Sequence, residues 1–345
     1  MNIVLSVCIL LIGVWILLSR LPAGVDRHMP LPYVIALIPL AWVPLGMLVL
    51  LAFILTYFGV PGMETPLRIA LLVIALMLFN HEQMRRKFLL ASSKTAHAAP
   101  ASATHDRVQL NVMTLNCRYG RANAENILNE VRQHNIDALA LQELSDELVQ
   151  ALEEQGIDDL LPHRVLGANK TDDNGGFNGL WLRERPLSSQ ADMVIPAAEV
   201  PSATLVITVP DHGEDGVIPK HIHLSSAHTK SPMRSRADWS GGIIGLGALA
   251  RTATDPHTDA IVMGDLNSDL NHPSFRKLLA AGFVDATLTL ARPWHPFVRT
   301  FPSWLPWPRI ILDHVLYTPG VTASNVASIR IEGTDHLALT ATLTL

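Results

Sequence analysis

Two long stretches without a charged side chain near the amino terminus constrain this chain more than any other feature. They run from Met1 to Ser19 and from Met29 to Met63, and a helix that crosses a bilayer needs about 20 apolar residues. A third apolar stretch, Ile69–Asn80, would cross only if its helix starts at Thr65-Pro66 and a flanking arginine reaches the interface. The sequence therefore predicts an all-α transmembrane anchor over residues 1–91, with helices at about 3–19, 32–58 and 66–84.

The distribution of charge predicts how this anchor is oriented. The first 96 residues carry 7 Lys/Arg and 3 Asp/Glu, whereas the remaining 249 carry 19 and 28. Arg20 and Arg27 follow the first apolar stretch, and Arg85, Arg86 and Lys87 follow the third. With three spans both basic groups lie on one face, which the positive-inside rule makes cytoplasmic, whereas two spans would separate them. We expect a multi-pass protein of the inner (cell) membrane with its polar domain in the cytoplasm.

The first apolar stretch also has the alternative interpretation of a cleaved signal peptide. It lacks a basic start and a small-x-small cleavage site, so an uncleaved anchor is favoured.

Beyond the anchor, the sequence changes to mixed polar composition with alternating strand and helix patterns. Residues 92–107 include "AHAAPASAT" and are typical of a flexible linker. Strand patterns such as "VQLNVMTLN" (108–116) and "IDALALQE" (136–143) outnumber helical ones and recur up to the last residues. This pattern predicts an α/β domain over residues 108–345, a four-layer sandwich of two packed, mainly antiparallel β-sheets flanked by helices.

Polar side chains stand where the predicted strands end. In "IVMGDLNSDL" (261–270), an apolar strand runs through Gly264 into Asp265 and Asn267, which point to the same side of an extended chain. An Asx turn that only caps the next helix would also explain them. Comparable strand ends carry Asn116, Gln142-Glu143, His228, Asp313 and Asp335-His336. One such residue is usually a solvated surface group, but the repetition predicts an active site.

Six of these segments together resemble a known family. In chain order they are "TLNCRYG", "LALQEL", "SSAHTKSP", "VMGDLNSD", "LDHVLY" and "GTDHLALTATL". The series is similar to the endonuclease/exonuclease/phosphatase superfamily, which includes pancreatic deoxyribonuclease and the neutral sphingomyelinases. Membrane-anchored bacterial members look most similar. The resemblance implies a metal-dependent phosphoric ester hydrolase.

By this resemblance, three residues would bind the metal. Glu143 would be the principal ligand of a divalent ion, Mg²⁺ (or Mn²⁺), with Asn116 and Asp335 beside it. Oxygen ligands of this kind suit a hard cation that keeps several waters.

The same resemblance implies catalytic roles for five further residues. Asp313 would orient the imidazole of His336, and Asp265 would activate water or shuttle a proton. Asn267 and His228 would bind the phosphate oxygens and stabilise the charge that develops on them.

The sequence departs from the family pattern in "GLWLRERPL" (179–187). Family members usually have a Ser followed by a basic residue here, whereas this chain has Arg183-Glu184-Arg185, and either arginine could reach a phosphate. His314 stands where many nucleases have Tyr, and we interpret it as a structural strand residue. Neither tyrosine of the domain, Tyr119 or Tyr317, receives a role.

The substrate class is less constrained by the sequence. The domain has no broad basic footprint for nucleic acid, although "HTKSPMRSR" (228–236) would make a local basic groove. Tethering raises the effective concentration of lipid headgroups. The segment 292–310 carries arginines and Trp294, Phe297, Phe301, Trp304 and Trp307. It suits a membrane interface or the packing of a Pro-rich loop.

These observations predict a membrane-tethered phosphoesterase that hydrolyses a phosphodiester or phosphomonoester, in a lipid headgroup or a soluble ester. A tethered endonuclease or exonuclease is the alternative, and a catalytically silent binding module is disfavoured because the whole set of polar residues is intact. The expected partners are the phosphate ester and membrane lipids, with nucleic acid left open. The sequence indicates no protein partner.

Overall fold

The structure is a computed structural model that describes residues 1–96, 108–168, 175–210, 217–253, 257–290 and 298–345. Most of the predicted linker 92–107, from residue 97 onwards, lies outside the described residues. Arg292, Trp294 and Phe297 of the aromatic segment also lie outside them.

Four helices form the amino-terminal region: α1 (Asn2–Leu17), α2 (Leu31–Ala36), α3 (Trp42–Tyr57) and α4 (Glu64–Ala96). Three segments of the described chain are long and apolar enough to cross a membrane, namely Asn2–Arg20, Ile38–Tyr57 and Glu64–Phe88. Many of their large apolar side chains point outward, as helices do when their surroundings are lipid.

The second predicted helix, 32–58, is interrupted. It ends at Ala36, and a 3₁₀ turn at Ile38–Leu40 separates it from α3. Pro39 lies in that turn, and Pro44 lies in the first turn of α3. The N–H groups of a first turn have no acceptor within the helix, so a proline there costs no helical hydrogen bond. The prolines therefore mark a helix start instead of kinking one continuous helix.

Helix α4 is longer than the predicted 66–84 at both ends. It begins before Pro66, which meets the condition set for a third span, and continues to Ala96. The predicted end of the anchor at residue 91 thus falls within α4. Phe88 is buried among residues of the carboxyl-terminal domain, so this helix leads directly into that domain's packing.

Helices α1 and α4 run in the same direction, with α3 antiparallel to them. Leu5, Ala52 and Met63 cluster at one end of the helices. At the other end, Arg20 donates hydrogen bonds to Asn80 and, at 2.5 Å, to the Oε1 of Gln83. The residues that follow α1 and those in the later part of α4 therefore lie at the same end, as the three-span prediction requires.

The carboxyl-terminal domain contains two sheets of six strands within the described residues. The strands are β1 (Gln109–Asn116), β2 (Ala138–Leu144), β3 (His163–Leu166), β4 (Phe177–Leu182), β5 (Ser188–Asp192), β6 (Val200–Pro210), β7 (Val217–His228), β8 (Thr258–Asp265), β9 (Val284–Asp285), β10 (Asp313–Tyr317), β11 (Thr322–Arg330) and β12 (Leu337–Thr344). The helices are α5 (Ala124–Gln133), α6 (Asp146–Glu154), α7 (Ile157–Leu160), α8 (Arg236–Gly245) and α9 (Pro273–Leu279). The orders are β11-β12-β1-β2-β4-β3 and β5-β6-β7-β8-β10-β9.

The sheets pack face to face with helices on both outer sides, which confirms the predicted sandwich. Val112 and Ala140 of the first sheet meet Leu224 and Met263 of the second in one buried cluster. Separate apolar clusters pack α5 and α6 on the first sheet and α8 and α9 on the second. Both faces of the central strands are therefore buried, as expected for inner layers.

Each sheet has one parallel pair at its centre, β1–β2 and β7–β8, and the other pairs are antiparallel. The parallel pairs end with Asn116 opposite Gln142 and with His228 opposite Asp265. Gln142 Nε2 donates to the hydroxyl of Ser226 at 3.0 Å and so joins the two sheets beneath these ends. The strand ends of both sheets consequently converge on one place.

Candidate active site

Glu143 occupies the end of β2 in a backbone conformation that few residues adopt. Its φ is 53°, and its carboxylate accepts from Asn116 Nδ2 and from the Tyr119 N–H, both at 3.0 Å. Burial raises the pKa of Glu143, while the Asn116 hydrogen bond and the charge of His336 oppose this. A largely buried carboxylate that is held by two donors is well placed for a cation to stabilise.

Two glycines pack closely against Glu143 and the residue that follows it. A Cβ at Gly175 would lie 2.6 Å from the Glu143 side chain, and one at Gly176 would lie 2.2 Å from the carbonyl oxygen of Leu144. Both glycines have positive φ, so a side chain would be both strained and without space.

Asp265 is the centre of the site. Its Oδ2 accepts from Asn116 Nδ2 at 2.9 Å, and the Nε2 atoms of His228 and His336 lie 3.6 and 3.8 Å from the same oxygen. Burial raises the pKa of Asp265, and the charge of His336 opposes this. The side chain is thus a stronger base than a solvated aspartate and faces the residues expected to hold phosphate.

The turn after β8 accommodates both interpretations of "GDLN". Asp265 Oδ1 accepts from the Asn267 N–H at 2.8 Å, which is an Asx turn, while Oδ2 faces the site. A Cβ at Gly264 would lie 1.8 Å from the carbonyl oxygen of Ala227, so glycine lets β8 approach β7. Asn267 is fixed through its Nδ2, which donates to the Thr229 carbonyl at 3.1 Å.

Asp313 and His336 form the predicted carboxylate–imidazole pair. The Nδ1 of His336 lies 2.8 Å from Asp313 Oδ2, and both side chains are buried. Burial alone would lower the pKa of His336, but the charges of Asp313 and Asp265 raise it to about 10. The imidazole is therefore a cation, with Nε2 directed toward Asp265.

His228 has the opposite character. It is buried, and burial lowers its pKa although Asp265 opposes the effect. Its Nε2 lies 3.6 Å from Asp265 Oδ2 and 3.8 Å from Glu143 Oε1. A neutral imidazole between two carboxylates can donate to a phosphate oxygen without adding a second positive charge.

The donor set fits a divalent cation at Glu143 and Asp335. Both carboxylates are partly exposed, and, after the larger effect of burial, the negative charge of Asp335 also raises the pKa of Glu143. Asn116, the third predicted ligand, lies between the carboxylates of the site. Its Nδ2 points to Glu143 and Asp265, and its Oδ1 accepts from the Arg118 N–H at 2.8 Å.

Asp265, Asp313 and His336 also lie within reach of a common ion, with ligand atoms within 4.8 Å of one another. The 2.8 Å hydrogen bond between the last two uses His336 Nδ1 and Asp313 Oδ2, so an ion there would be bound by other atoms, such as His336 Nε2, which lies 3.8 Å from Asp265 Oδ2.

Arg183 and Arg185 lie away from this site. Arg183 donates to Asp137 Oδ1 at 2.9 Å and to the Ile136 carbonyl at 2.7 Å. Because β4 is antiparallel to β2, Arg183 at the end of β4 lies beside Asp137 at the start of β2. Glu143 lies at the opposite end of β2. Arg183 therefore forms a structural ion pair with Asp137. Arg185 is exposed just beyond the end of β4 that lies farthest from Glu143.

His314 is structural, as predicted. Its Nδ1 lies 2.8 Å from Asp285 Oδ2 and its Nε2 lies 2.8 Å from the Ser268 carbonyl, so both ring nitrogens are occupied by the fold. Asp285 raises the pKa of His314 against the effect of burial. Tyr317 is buried in the core and has no access to the site.

The structure adds Arg118 and Tyr119 at the opening of the site, to which the sequence assigned no role, and places Arg234 of the predicted basic groove beside them. Arg118 Nε lies 3.6 Å from Asp335 Oδ2. Tyr119 is 52% exposed, and its hydroxyl accepts from Arg234 Nη2 at 3.0 Å. The signal available was Gly120, which directly follows Arg118-Tyr119 just after β1 and indicates a left-handed turn; Arg118, Tyr119 and Gly120 all have positive φ.

The model of the Endonuclease/Exonuclease/phosphatase family matches residues 113–336. The chain belongs to this family. No curated protein sequence matches it.

Solved structures of the family share the fold. One is humanized D. rerio TDP2, with a TM-score of 0.52, 19% identity and coverage of 69% of this chain and 99% of that one. A family protein from Leptotrichia buccalis has a TM-score of 0.52, 14% identity and coverage of 68% and 100%. D. rerio TDP2 with a single-strand DNA product has a TM-score of 0.50, 19% identity and coverage of 69% and 99%. At these identities the likeness is one of fold.

Proposed function

We propose that this protein is a membrane-tethered, divalent-metal-dependent phosphoesterase that hydrolyses a phosphate ester in a lipid headgroup at the cytoplasmic face. One observation carries the choice of a membrane substrate. The loop of residues 300–310, here called the tryptophan loop, touches both the site and the anchor. Its Phe301 ring lies 4.9 Å from the His336 ring, and its Trp307 ring lies 5.7 Å from Trp42 at the start of α3.

The exposure of this loop supports the same proposal. Trp304 is 65% exposed and Trp307 is 50% exposed, so neither is used for packing the domain core. Tryptophan is enriched at the membrane–water interface because its ring is apolar and its N–H is polar. A loop with two such rings beside a predicted span would lie in the headgroup layer.

Hydrogen bonds also join the amino-terminal helices to the catalytic domain. Asp26, between α1 and α2, accepts from the Ser274 N–H at 2.8 Å and from its hydroxyl at 2.6 Å. The Nε2 of His272 lies 2.9 Å from the Pro32 carbonyl. The domain is thus attached to the anchor through the side that carries α9.

The chemistry follows from the charges of the site. A divalent cation held by Glu143 and Asp335 would neutralise a non-bridging phosphate oxygen and support the leaving oxygen. Asp265, with its raised pKa, takes the proton of the attacking water. The His336 cation and neutral His228 stabilise the charge that grows on the phosphoryl oxygens, and Asn267 completes the phosphate contacts.

The full chain in vesicles tests this proposal. Hydrolysis of phospholipid, plasmid DNA and inositol phosphates is compared with Mg²⁺, with Mn²⁺ and with EDTA. We expect phosphate-ester release from lipid that EDTA abolishes and Mg²⁺ restores. Turnover of every substrate unaffected by EDTA would contradict the metal, and turnover of DNA alone would contradict the lipid.

A membrane-tethered endonuclease or exonuclease is the second candidate. Arg234 lies at the opening of the site, hydrogen-bonded to Tyr119; Lys230 precedes it in the same loop, and Arg236 begins α8. A neighbour of this fold, D. rerio TDP2, has been solved with single-strand DNA. Activity on DNA in the same assay, with none on lipid, would favour this candidate.

The cytoplasmic location rests on the shared face of Arg20, Arg27 and the basic residues of α4. A reporter that is active only after export, fused behind Leu345, is expected to stay inactive. An active reporter would place the catalytic domain outside and contradict the proposed sidedness.

A further inference from the structure

A groove between the anchor and the catalytic domain is separate from the residues assigned to catalysis. It encloses about 400 Å³, and residues of both regions line it, including Arg27, His28, Met233, Arg234, Ser235 and Arg236. We call it the junction groove. Its volume is more than ten times the roughly 30 Å³ that one water occupies in the liquid, so it has room for a hydrated anion.

The charge of the junction groove has one sign. Arg27, Arg234 and Arg236 line it, and none of its lining residues is acidic. The first acid of α8, Asp238, accepts from Lys230 Nζ at 3.1 Å, and its backbone N–H donates to the Ser235 hydroxyl at 3.3 Å. The hydrogen bonds with Lys230 and Ser235 lower the pKa of Asp238. Three arginines thus line a groove that has no acidic residue in its lining, and Asp238 is already paired with Lys230.

The backbone adds to this positive potential. Helix α8 begins at Arg236, with Ser235 as its amino-terminal cap, so the positive end of a ten-residue helix lies at the junction groove. The planar guanidinium group of one arginine can donate two parallel hydrogen bonds to a phosphate, so a cluster of arginines suits this anion.

The junction groove connects to the mouth of the active site through Arg234. This side chain lines the groove and also donates to the Tyr119 hydroxyl at 3.0 Å, while the Tyr119 N–H donates to Glu143. Arg27 comes from the segment between the first two predicted spans. One wall of the groove therefore belongs to the catalytic mouth and the other to the membrane surface.

We propose that the junction groove binds a second phosphate group, distinct from the one that is hydrolysed. This proposal rests on the proposed function, in which the substrate is presented at a membrane. The phosphate belongs to a lipid headgroup or to a soluble phosphate, and the experiment separates these sources.

The test measures binding without turnover, on the full chain in nanodiscs. Native mass spectrometry counts phosphatidic acid retained from nanodiscs with and without this lipid, and calorimetry measures binding of inorganic phosphate. Arg27→Gln/Arg236→Gln removes two guanidinium groups and leaves the mouth residue Arg234 in place. The matched control is Arg132→Gln/Arg251→Gln, which removes two arginines that do not line the groove.

The double groove variant is expected to bind phosphatidic acid more weakly, by up to about tenfold for each arginine removed, because charge-assisted hydrogen bonds are stronger than neutral ones. Loss for lipid supports a headgroup source, and loss for inorganic phosphate alone supports a soluble one. Binding equal to that of the wild type and the control for both probes overturns the proposal. Because no hydrolysis is measured, an inactive protein would contradict the proposed function and leave this result intact.

Discussion

The amino-terminal helices and the carboxyl-terminal domain bury apolar side chains in opposite ways. Ile3 is 74% exposed and Leu72 is 71% exposed on α1 and α4, whereas Val112 and Leu139 of the central strands are completely buried. The helices are apolar on the outside, which suits lipid, and the domain hides its apolar residues between layers, which suits water. The two regions were thus shaped for different solvents.

The difference teaches where each region can contribute to function. In the proposed function the domain supplies the reacting groups, and replacing them should affect every substrate equally. In the same proposal the anchor and the tryptophan loop supply position, and replacing them should affect only substrates in a membrane. The following substitutions test this division, from the largest expected effect to the smallest.

Glu143→Gln should reduce turnover of all substrates. The change is nearly isosteric but removes the main charged ligand, and a metal contributes several kcal/mol to charge stabilisation, so we expect about a thousandfold loss or more. Steady-state rates in Mg²⁺ and calorimetric Mn²⁺ binding measure it. Glu147→Gln, an exposed glutamate on α6, is the control. Wild-type turnover in the first variant would show that the metal assignment is wrong.

Asp313→Asn should reduce the rate by about a hundredfold to ten-thousandfold, as in other carboxylate–histidine pairs. His336→Ala should cost as much, and the double variant should lose little more, because the pair acts as a unit. Additive losses would separate the two residues.

Asp285→Asn is a matched control for this pair, because Asp285 forms the other buried carboxylate–imidazole contact, with His314. It should lower the thermal stability of the domain and leave the rate of the folded fraction close to wild type. A loss of rate as large as that of Asp313→Asn would contradict the structural role of His314.

Replacing both Trp304 and Trp307 with Ala should weaken turnover of vesicle substrates about tenfold more than turnover of a small soluble phosphodiester, because interfacial binding is lost while the chemistry remains. Leu187→Ala is the control, since Leu187 is an exposed apolar residue beyond the distal end of β4. Equal effects on the two substrates would mean that the tryptophans pack the domain.

Asp26→Ala should loosen the junction by about 1–3 kcal/mol, because it leaves two buried donors of Ser274 without their acceptor. The thermal unfolding of the full chain in detergent micelles measures this loss. Glu64→Ala is the control, because Glu64 begins α4 at the opposite end of the helices. Identical unfolding of both variants would show that Asp26 does not hold the two regions together.

Much of the site could be predicted because its signals are local. Asn116, Glu143, His228 and Asp265 each end a strand whose alternation is readable. The ends of parallel strands meet at one edge of a sheet, so these residues had to meet. The apolar spans were equally readable, since length and lack of charge are properties of the chain alone.

The sequence by itself therefore determined the spans, the strand ends and the types of residue at the site. Only the tertiary structure decided that Arg183 lies at the wrong end of the sheet, that Asn116 turns its amide nitrogen to the carboxylates, and that Arg234 reaches Tyr119. It also joined Asp26 to Ser274 across 248 residues. Side-chain periodicity records which face of an element is buried, but it does not record which distant element covers that face, and these contacts depend on that pairing.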